Sequence, residues 1–301
     1  MKPLLYAMFG VLTTSAAFMS PAVSAALNDS LSPVGAILSA NKDGSIPEWN
    51  GGITQLPEDY APGNQHPDPF AEDTIKTVIS QRNLDEHKGM LSEGALALLK
   101  ANPDYKINVY PSRRSASLPE RIYESSKKNS ETAELTFRGN GVSGATAGIP
   151  FPVPKNGQEA IWNHTMRYRG EGLNYTGHRT TVQPDGTYTL AKLERTVFFN
   201  YGRADISQKK LANTLFYYKH NVLSPIRNAG TALLVKETID QINAPRKAWQ
   251  YTPGQRKVRR LPKLAYDDIM PDTGGMLTAD TADMFNGSLD RYDWELQGRQ
   301  E

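Results

Sequence analysis

Cysteine is missing from all 301 residues. No disulfide can form, no thiolate can serve as nucleophile or zinc ligand, and no lipid can be attached to a cysteine behind an export signal. Stability must come from a packed core. Neither sign of charge is in excess. The net charge of +2 speaks against nucleic-acid binding, which needs a strongly basic face. Beyond the N-terminal segment no hydrophobic run approaches the length of a spanning helix. Apolar residues make up only 39% of the chain, which suits a sheet with one solvated face or long polar loops. Internal repeats and low-complexity tracts are lacking too.

What is present begins with an export signal. Lys2 supplies a positive start, residues 4–18 are uncharged and mostly apolar or small, and Pro21-Ala22-Val23-Ser24-Ala25 offers short side chains at Val23 and Ala25. This three-part form predicts a cleavable signal peptide over residues 1–25, cut after Ala25, and a protein that works outside the cytoplasm. The apolar run is shorter than the roughly 20 residues of a membrane anchor.

Residues 26–70 carry Pro47, Pro57, Pro62, Pro67 and Pro69 with Asp43-Gly44 and Gly51-Gly52, a spacing that predicts an irregular arm. Residues 71–100 read as two helices. Ile75, Val78, Ile79 and Arg82 share one face, as do Leu91, Ala95, Leu98 and Leu99, with a break between Gly89 and Gly94. A strand is expected over 105–110. From about residue 131 the pattern turns to β, with strands expected over 134–138, 183–195 (interrupted by the turn Pro184-Asp185-Gly186), 196–201, 214–222, 231–239, 248–251 and 256–261. Residues 71–301 thus form one α+β domain, helices first and then an antiparallel meander.

Most catalytic signatures fail a context test. Gly139-Asn-Gly-Val-Ser-Gly144 fits the dinucleotide fingerprint, but Pro150, Pro152 and Pro154 rule out the helix that must follow; a glycine-rich turn is the better reading. Around Gly44 the calcium-loop ends would be Ser39 and Asn50, neither a carboxylate, so an Asp-Gly turn is expected. His66, His87, His164, His178 and His220 show no metal-ligand spacing, and no G-x-S-x-G elbow exists. Asp267-Asp268 and Asp280/Asp283 read as solvated loop acids, with a glycosidase pair left open. No catalytic residue, metal or cofactor is therefore expected. Arg256, Lys257, Arg259 and Arg260, in a stretch running to Lys263, form the most basic run. They suit either lipid headgroups or an acidic partner, or simply a hairpin with solvated arginines. In Gly148-Ile-Pro-Phe-Pro-Val-Pro154 the prolines hold Phe151 and Val153 on one side. A following helical turn stacks Trp162 on Met166. These serve equally as a lid over an apolar site or as a core plug.

That segment, continued by Glu159-Ala-Ile-Trp-Asn-His and Arg167-Tyr-Arg-Gly, resembles the domain-of-unknown-function 1329 (DUF1329) family of Gram-negative bacteria. So do Leu31-Ser-Pro-Val-Gly, Asp43-Gly-Ser-Ile-Pro-Glu-Trp-Asn-Gly-Gly, Val109-Tyr-Pro-Ser-Arg-Arg, Trp249-Gln-Tyr-Thr-Pro-Gly-Gln-Arg-Lys-Val-Arg-Arg-Leu-Pro and Leu289-Asp-Arg-Tyr-Asp-Trp-Glu-Leu. Members continue through further strands, whereas this chain stops at Glu301. Their grouping with the LolA/LolB lipoprotein carriers implies a curved antiparallel half-barrel, incomplete at its C-terminus, with N-terminal helices covering its concave face. It also implies a periplasmic, non-enzymatic carrier for a lipid or other hydrophobic molecule. Partners would be a resistance-nodulation-division transporter or an outer-membrane protein. A non-catalytic adaptor of such an assembly is the alternative, and an envelope hydrolase a more remote one. Alternation nominates Phe198, Phe216, Tyr218, Leu233, Val235, Trp249 and Tyr251 as cavity lining, with Phe151 and Trp162 as lid; the cavity face is not distinguished from the outer face.

Overall fold

The computed structural model describes residues 27–299, apart from 58, 59, 62, 63, 184, 263, 265, 271 and 272. The export signal, Pro184 and Lys263 lie outside the described residues. Before Thr77 the described chain holds no helix or strand beyond an isolated bridge between Leu31 and Ile37. The Asp43-Gly44 turn forms: Gly44 has φ +72°, and the Asp43 carboxylate accepts from the Ser45 amide at 2.8 Å.

β1 (Thr77–Ser80), α1 (Leu84–His87), α2 (Glu93–Ala101) and β2 (Lys106–Val109) follow. The first of the two helices expected over residues 71–100 is corrected in its opening part, where β1 stands in its place. Thr77, Val78 and Ile79 are β-branched, and they pair antiparallel with Lys106–Val109. The turn that leaves β1 is fixed by Asn83, whose side chain accepts from the Ser80 amide at 2.8 Å. α1 and α2 pack Leu84 and Leu99 against Ile79 in a cluster of their own. The expectation that the N-terminal helices cover the sheet is therefore corrected as well. α2 buries only Leu99, too narrow an apolar stripe for a second partner.

α3 (Glu120–Thr132) has a single buried apolar residue, Ile122; its other buried positions are Ser126 and Asn129. These act on backbone. Asn129 donates to the carbonyls of Thr146 and Ile149 at 3.1 and 3.2 Å, and accepts from the Thr146 amide at 3.0 Å. The Ser126 hydroxyl accepts from the Ile149 amide at 3.0 Å. The proline-rich segment is thus hung from a polar helix face.

β3 (Glu134–Thr136) and β4 (Gly141–Ser143) form a short hairpin, so the glycine motif supplies the end of its turn and its second strand. Gly144, at φ +73°, would bring an added Cβ to 1.9 Å from the Thr132 carbonyl oxygen. Gly144→Ala is expected to destabilise the protein by at least ~1 kcal/mol, because both the positive φ and the contact oppose it; urea unfolding measures this.

α4 (Gly157–Thr165) is capped by Asn156, which accepts from the Glu159 amide at 2.9 Å. Next come β5 (Gly172–Val182), β6 (Tyr188–Phe198), α5 (Gln208–Leu211), β7 (Thr214–Ser224), β8 (Ala232–Thr238), β9 (Lys247–Thr252) and β10 (Lys257–Arg260). The six strands form one antiparallel sheet in sequential order, β5 at one edge and β10 at the other. The sheet is curved and not closed into a barrel. The register shifts at Lys192/Leu193 and at Thr214/Phe216, irregularities that bend and twist a sheet. Its inner face is covered by α4 and the residue that ends it, which contribute Trp162 and Met166, and by residues 264–294, which contribute Leu264, Ala279 and Leu289. Among the described residues no helix is long and apolar enough to cross a membrane.

Candidate ligand cavity

Side chains alternate along a strand, so register sorts the sheet into rows. On the inner face one row reads Leu173, Val197, Tyr218, Val235, Ala248 across β5 to β9. The next row on the same face reads Tyr175, Arg195, His220, Leu233. Between these rows and the cover lies a cavity of about 370 Å³. Its wall includes Leu173, Tyr175, Tyr218, Leu233 and Val235 from the sheet, and Leu264, Met270, Ala279, Ala282 and Phe285 from the cover.

Two arginines fix this cavity. Arg246, buried, forms an ion pair with Glu237, whose side chain is 0% exposed. It also donates to the carbonyls of Leu264 and Asn286 at 2.7 and 2.6 Å. Glu237 accepts a further bond from Gln241 at 3.0 Å. One guanidinium thereby ties both ends of the cover to the sheet. Burial pushes the Glu237 carboxyl above its ordinary range, and the adjacent Arg246 charge opposes this. At the rim, Arg169 pairs with Asp283 at 2.7 Å and lies 4.6 Å from the Phe199 ring centre. Arg167 joins the same carboxylate at 2.7 Å.

The polar row has a different character. His220 is 2% exposed, and its Nδ1 lies 3.2 Å from the Tyr218 hydroxyl. Its pKa falls to about 4, first through burial and then through Arg179 and Arg195. Arg195 lies 5.3 Å from the Tyr175 ring centre.

Of the nominated residues, Phe216, Tyr218, Leu233 and Val235 line the cavity. Phe198, Trp249 and Tyr251 do not. Phe198 is opposite Tyr217, Trp249 opposite Leu234, and Tyr251 opposite Val258, all on the outer face. A one-residue step moves a side chain across a sheet. Phe151 and Trp162 are buried core rather than a lid. Trp162 Nε1 donates to the Gly139 carbonyl at 2.8 Å, and Phe151 instead borders a separate recess of about 740 Å³ beside Leu27, Lys127 and Lys155. Arg256, Lys257, Arg259 and Arg260 are exposed on and beside β10. None of them enters an ion pair among the described residues. Leu173, Tyr175, Arg195, His220, Arg246 and the segment 264–286 were missed by the sequence reading. Alternation along 172–182 carried a signal for the first two; nothing local carried one for the cover.

The loop acids are engaged structurally. Asp267 pairs with Arg291 at 2.9 Å, and Asp280 accepts from Thr278 and Tyr292 at 2.6 and 2.8 Å. Among the described residues no group of three histidine or carboxylate side chains could hold a metal ion.

The family described as "Protein of unknown function (DUF1329)" matches residues 78–301. The chain belongs to this family. The DUF1329 match opens inside β1 and takes in the whole sheet and its cover. An uncharacterized protein of Pseudomonas aeruginosa is 41% identical over 279 residues, 92% of this chain and 61% of the relative. The chain thus spans about three-fifths of the length of that curated relative. The crystal structure of a DUF1329 family protein from Desulfovibrio piger aligns with 44% of this chain and 49% of its own, at 17% identity and a TM-score of 0.32.

Proposed function

We propose that this DUF1329 protein is a periplasmic carrier or binding protein for a hydrophobic molecule, in the manner of the LolA/LolB carriers. Handing cargo to or from an envelope transporter or outer-membrane protein would be its task. The observation that carries this reading is the apolar cavity between the inner sheet face and residues 264–286. Its volume lies at the lower end of the range for small-molecule pockets. It therefore favours a single alkyl chain or a compact hydrophobe over a multi-tailed lipid. An alkyl chain gains about 0.8 kcal/mol per buried CH₂, enough to hold cargo without covalent chemistry.

Ala282, half-buried on the cover, lines the cavity. Ala282→Trp is expected to fill it from the rim and weaken uptake of the fluorescent hydrophobe N-phenyl-1-naphthylamine at least ~10-fold, the cost of roughly two excluded methylenes. Unchanged uptake by folded Ala282→Trp would count against this cavity as the binding site. Mass spectrometry of an organic extract, from protein purified without detergent, identifies the natural cargo.

The adaptor reading has its own support. The outer sheet face exposes Phe198, Tyr217, Leu234, Tyr251 and Val258, and places Lys236 directly opposite Lys247. Exposed aromatics with like charges side by side suit a docking face.

A further inference from the structure

Resting on the reading of the cavity as a hydrophobe site, we propose that its ligand is an anionic single-tailed amphiphile. The tail fills the apolar row, and the negatively charged head group meets Arg195 and His220.

The inner face is itself amphiphilic along the strand direction. The apolar row Leu173, Val197, Tyr218, Val235, Ala248 is followed, about 7 Å further along the strands, by Tyr175, Arg195, His220, Leu233. The two ends of this row, Tyr175 and Leu233, border the cavity, and Arg195 and His220 lie between them on the same face.

Arg169 has Asp283 and Arg246 has Glu237, whereas Arg195 enters no ion pair among the described residues. Its guanidinium lies across β5 over Gly177, where an added Cβ would sit 3.4 Å from Nη1. A glycine inside a strand marks such a close approach, and the Tyr175 ring supports the cation beside it.

His220 supplies the second, independent observation. It is 2% exposed, and its Nε2 has no hydrogen-bond partner among the described residues. In the tautomer in which the Tyr218 hydroxyl donates to Nδ1, Nε2 carries a proton and meets no acceptor. A buried donor without an acceptor, directly opposite a guanidinium without a carboxylate, is what an anionic head group would satisfy. A neutral hydrophobe would leave both as they are.

Calorimetric titration at neutral pH with sodium dodecanoate, monododecyl phosphate and dodecan-1-ol tests this on the unmodified protein. The expected result is that at least one anion binds ~10-fold or more tightly than the alcohol, and the tighter anion names the head group. Arg195→Met keeps an unbranched side chain over Gly177 but removes the charge. It is expected to weaken the anion roughly 10- to 100-fold and leave dodecan-1-ol unchanged. Equal binding of alcohol and anions by the unmodified protein would overturn the proposal while the cavity reading stands. Failure of all three ligands to bind would overturn both.

Discussion

Arg246→Met is expected to lower stability by about 3–5 kcal/mol, the cost of stranding a buried carboxylate whose partner has been removed. Glu237 is fully buried and, among the described residues, keeps only the bonds from Gln241 and the Thr238 amide. The substitution also releases the carbonyls of Leu264 and Asn286, so the cover loses its tie at both ends. Denaturant unfolding measures the loss. The double variant Arg246→Met with Glu237→Gln distinguishes its origin. If the stranded charge dominates, the double variant is more stable than the single one. If the tether to the cover dominates, the two are alike.

Lowering the pH from 6.5 to 4 is expected to remove about 3 kcal/mol through His220 alone. Its folded pKa of about 4 lies below the ordinary 6.5, and each unit of difference is worth about 1.4 kcal/mol. Above pH 6.5 the imidazole is neutral in both states and contributes nothing to the slope. Between 6.5 and 4 the unfolded chain takes up a proton that the folded protein refuses. Stability therefore falls over that window and stops falling, for this group, below it. Burial is the main cause, with Arg179 and Arg195 adding repulsion. Unfolding free energies measured across the window, in the unmodified protein and in His220→Phe, check this. The variant should show a shallower slope by up to one proton, and identical slopes would contradict the assignment.

Much of the fold was legible because period-two alternation is a local signal. The strands from Tyr188 to Arg260 fell close to their expected places, whereas the turn after residue 182 joins β6 to β5, a strand that was not expected. Three further things were not legible, each for a physical reason. Thr77–Ser80 has apolar residues that fit either period over so short a span, and only pairing with Lys106–Val109 decides it. α3 hides because it buries Ser126 and Asn129 against backbone, so it lacks the apolar stripe by which helices are recognised. The cover, residues 264–294, has little regular structure among its described residues, and its sequence shows no periodicity.

The site was half legible for a related reason. Alternation groups Phe216 with Tyr218, and Leu233 with Val235, but it does not say which group faces inward. Seven nominated strand residues were thus divided between two faces, and Phe198, Trp249 and Tyr251 fell on the outer one. Arg195 and His220 were passed over because a lone charge in a strand ordinarily faces solvent. Their inward orientation follows only from the register with Tyr175 and Leu233.

The openness of the sheet makes the cavity pliable. In a closed barrel, strand number and stagger fix the diameter, and widening it means breaking a ladder. Here β5 and β10 are the two edges of a curved sheet, and the register irregularities at Leu193 and Phe216 are places where curvature can change with every inter-strand bond intact. The width of the space under the cover is then set by how far the sheet curls and not by a closed ring of strands, in the way a cupped hand differs from a pipe.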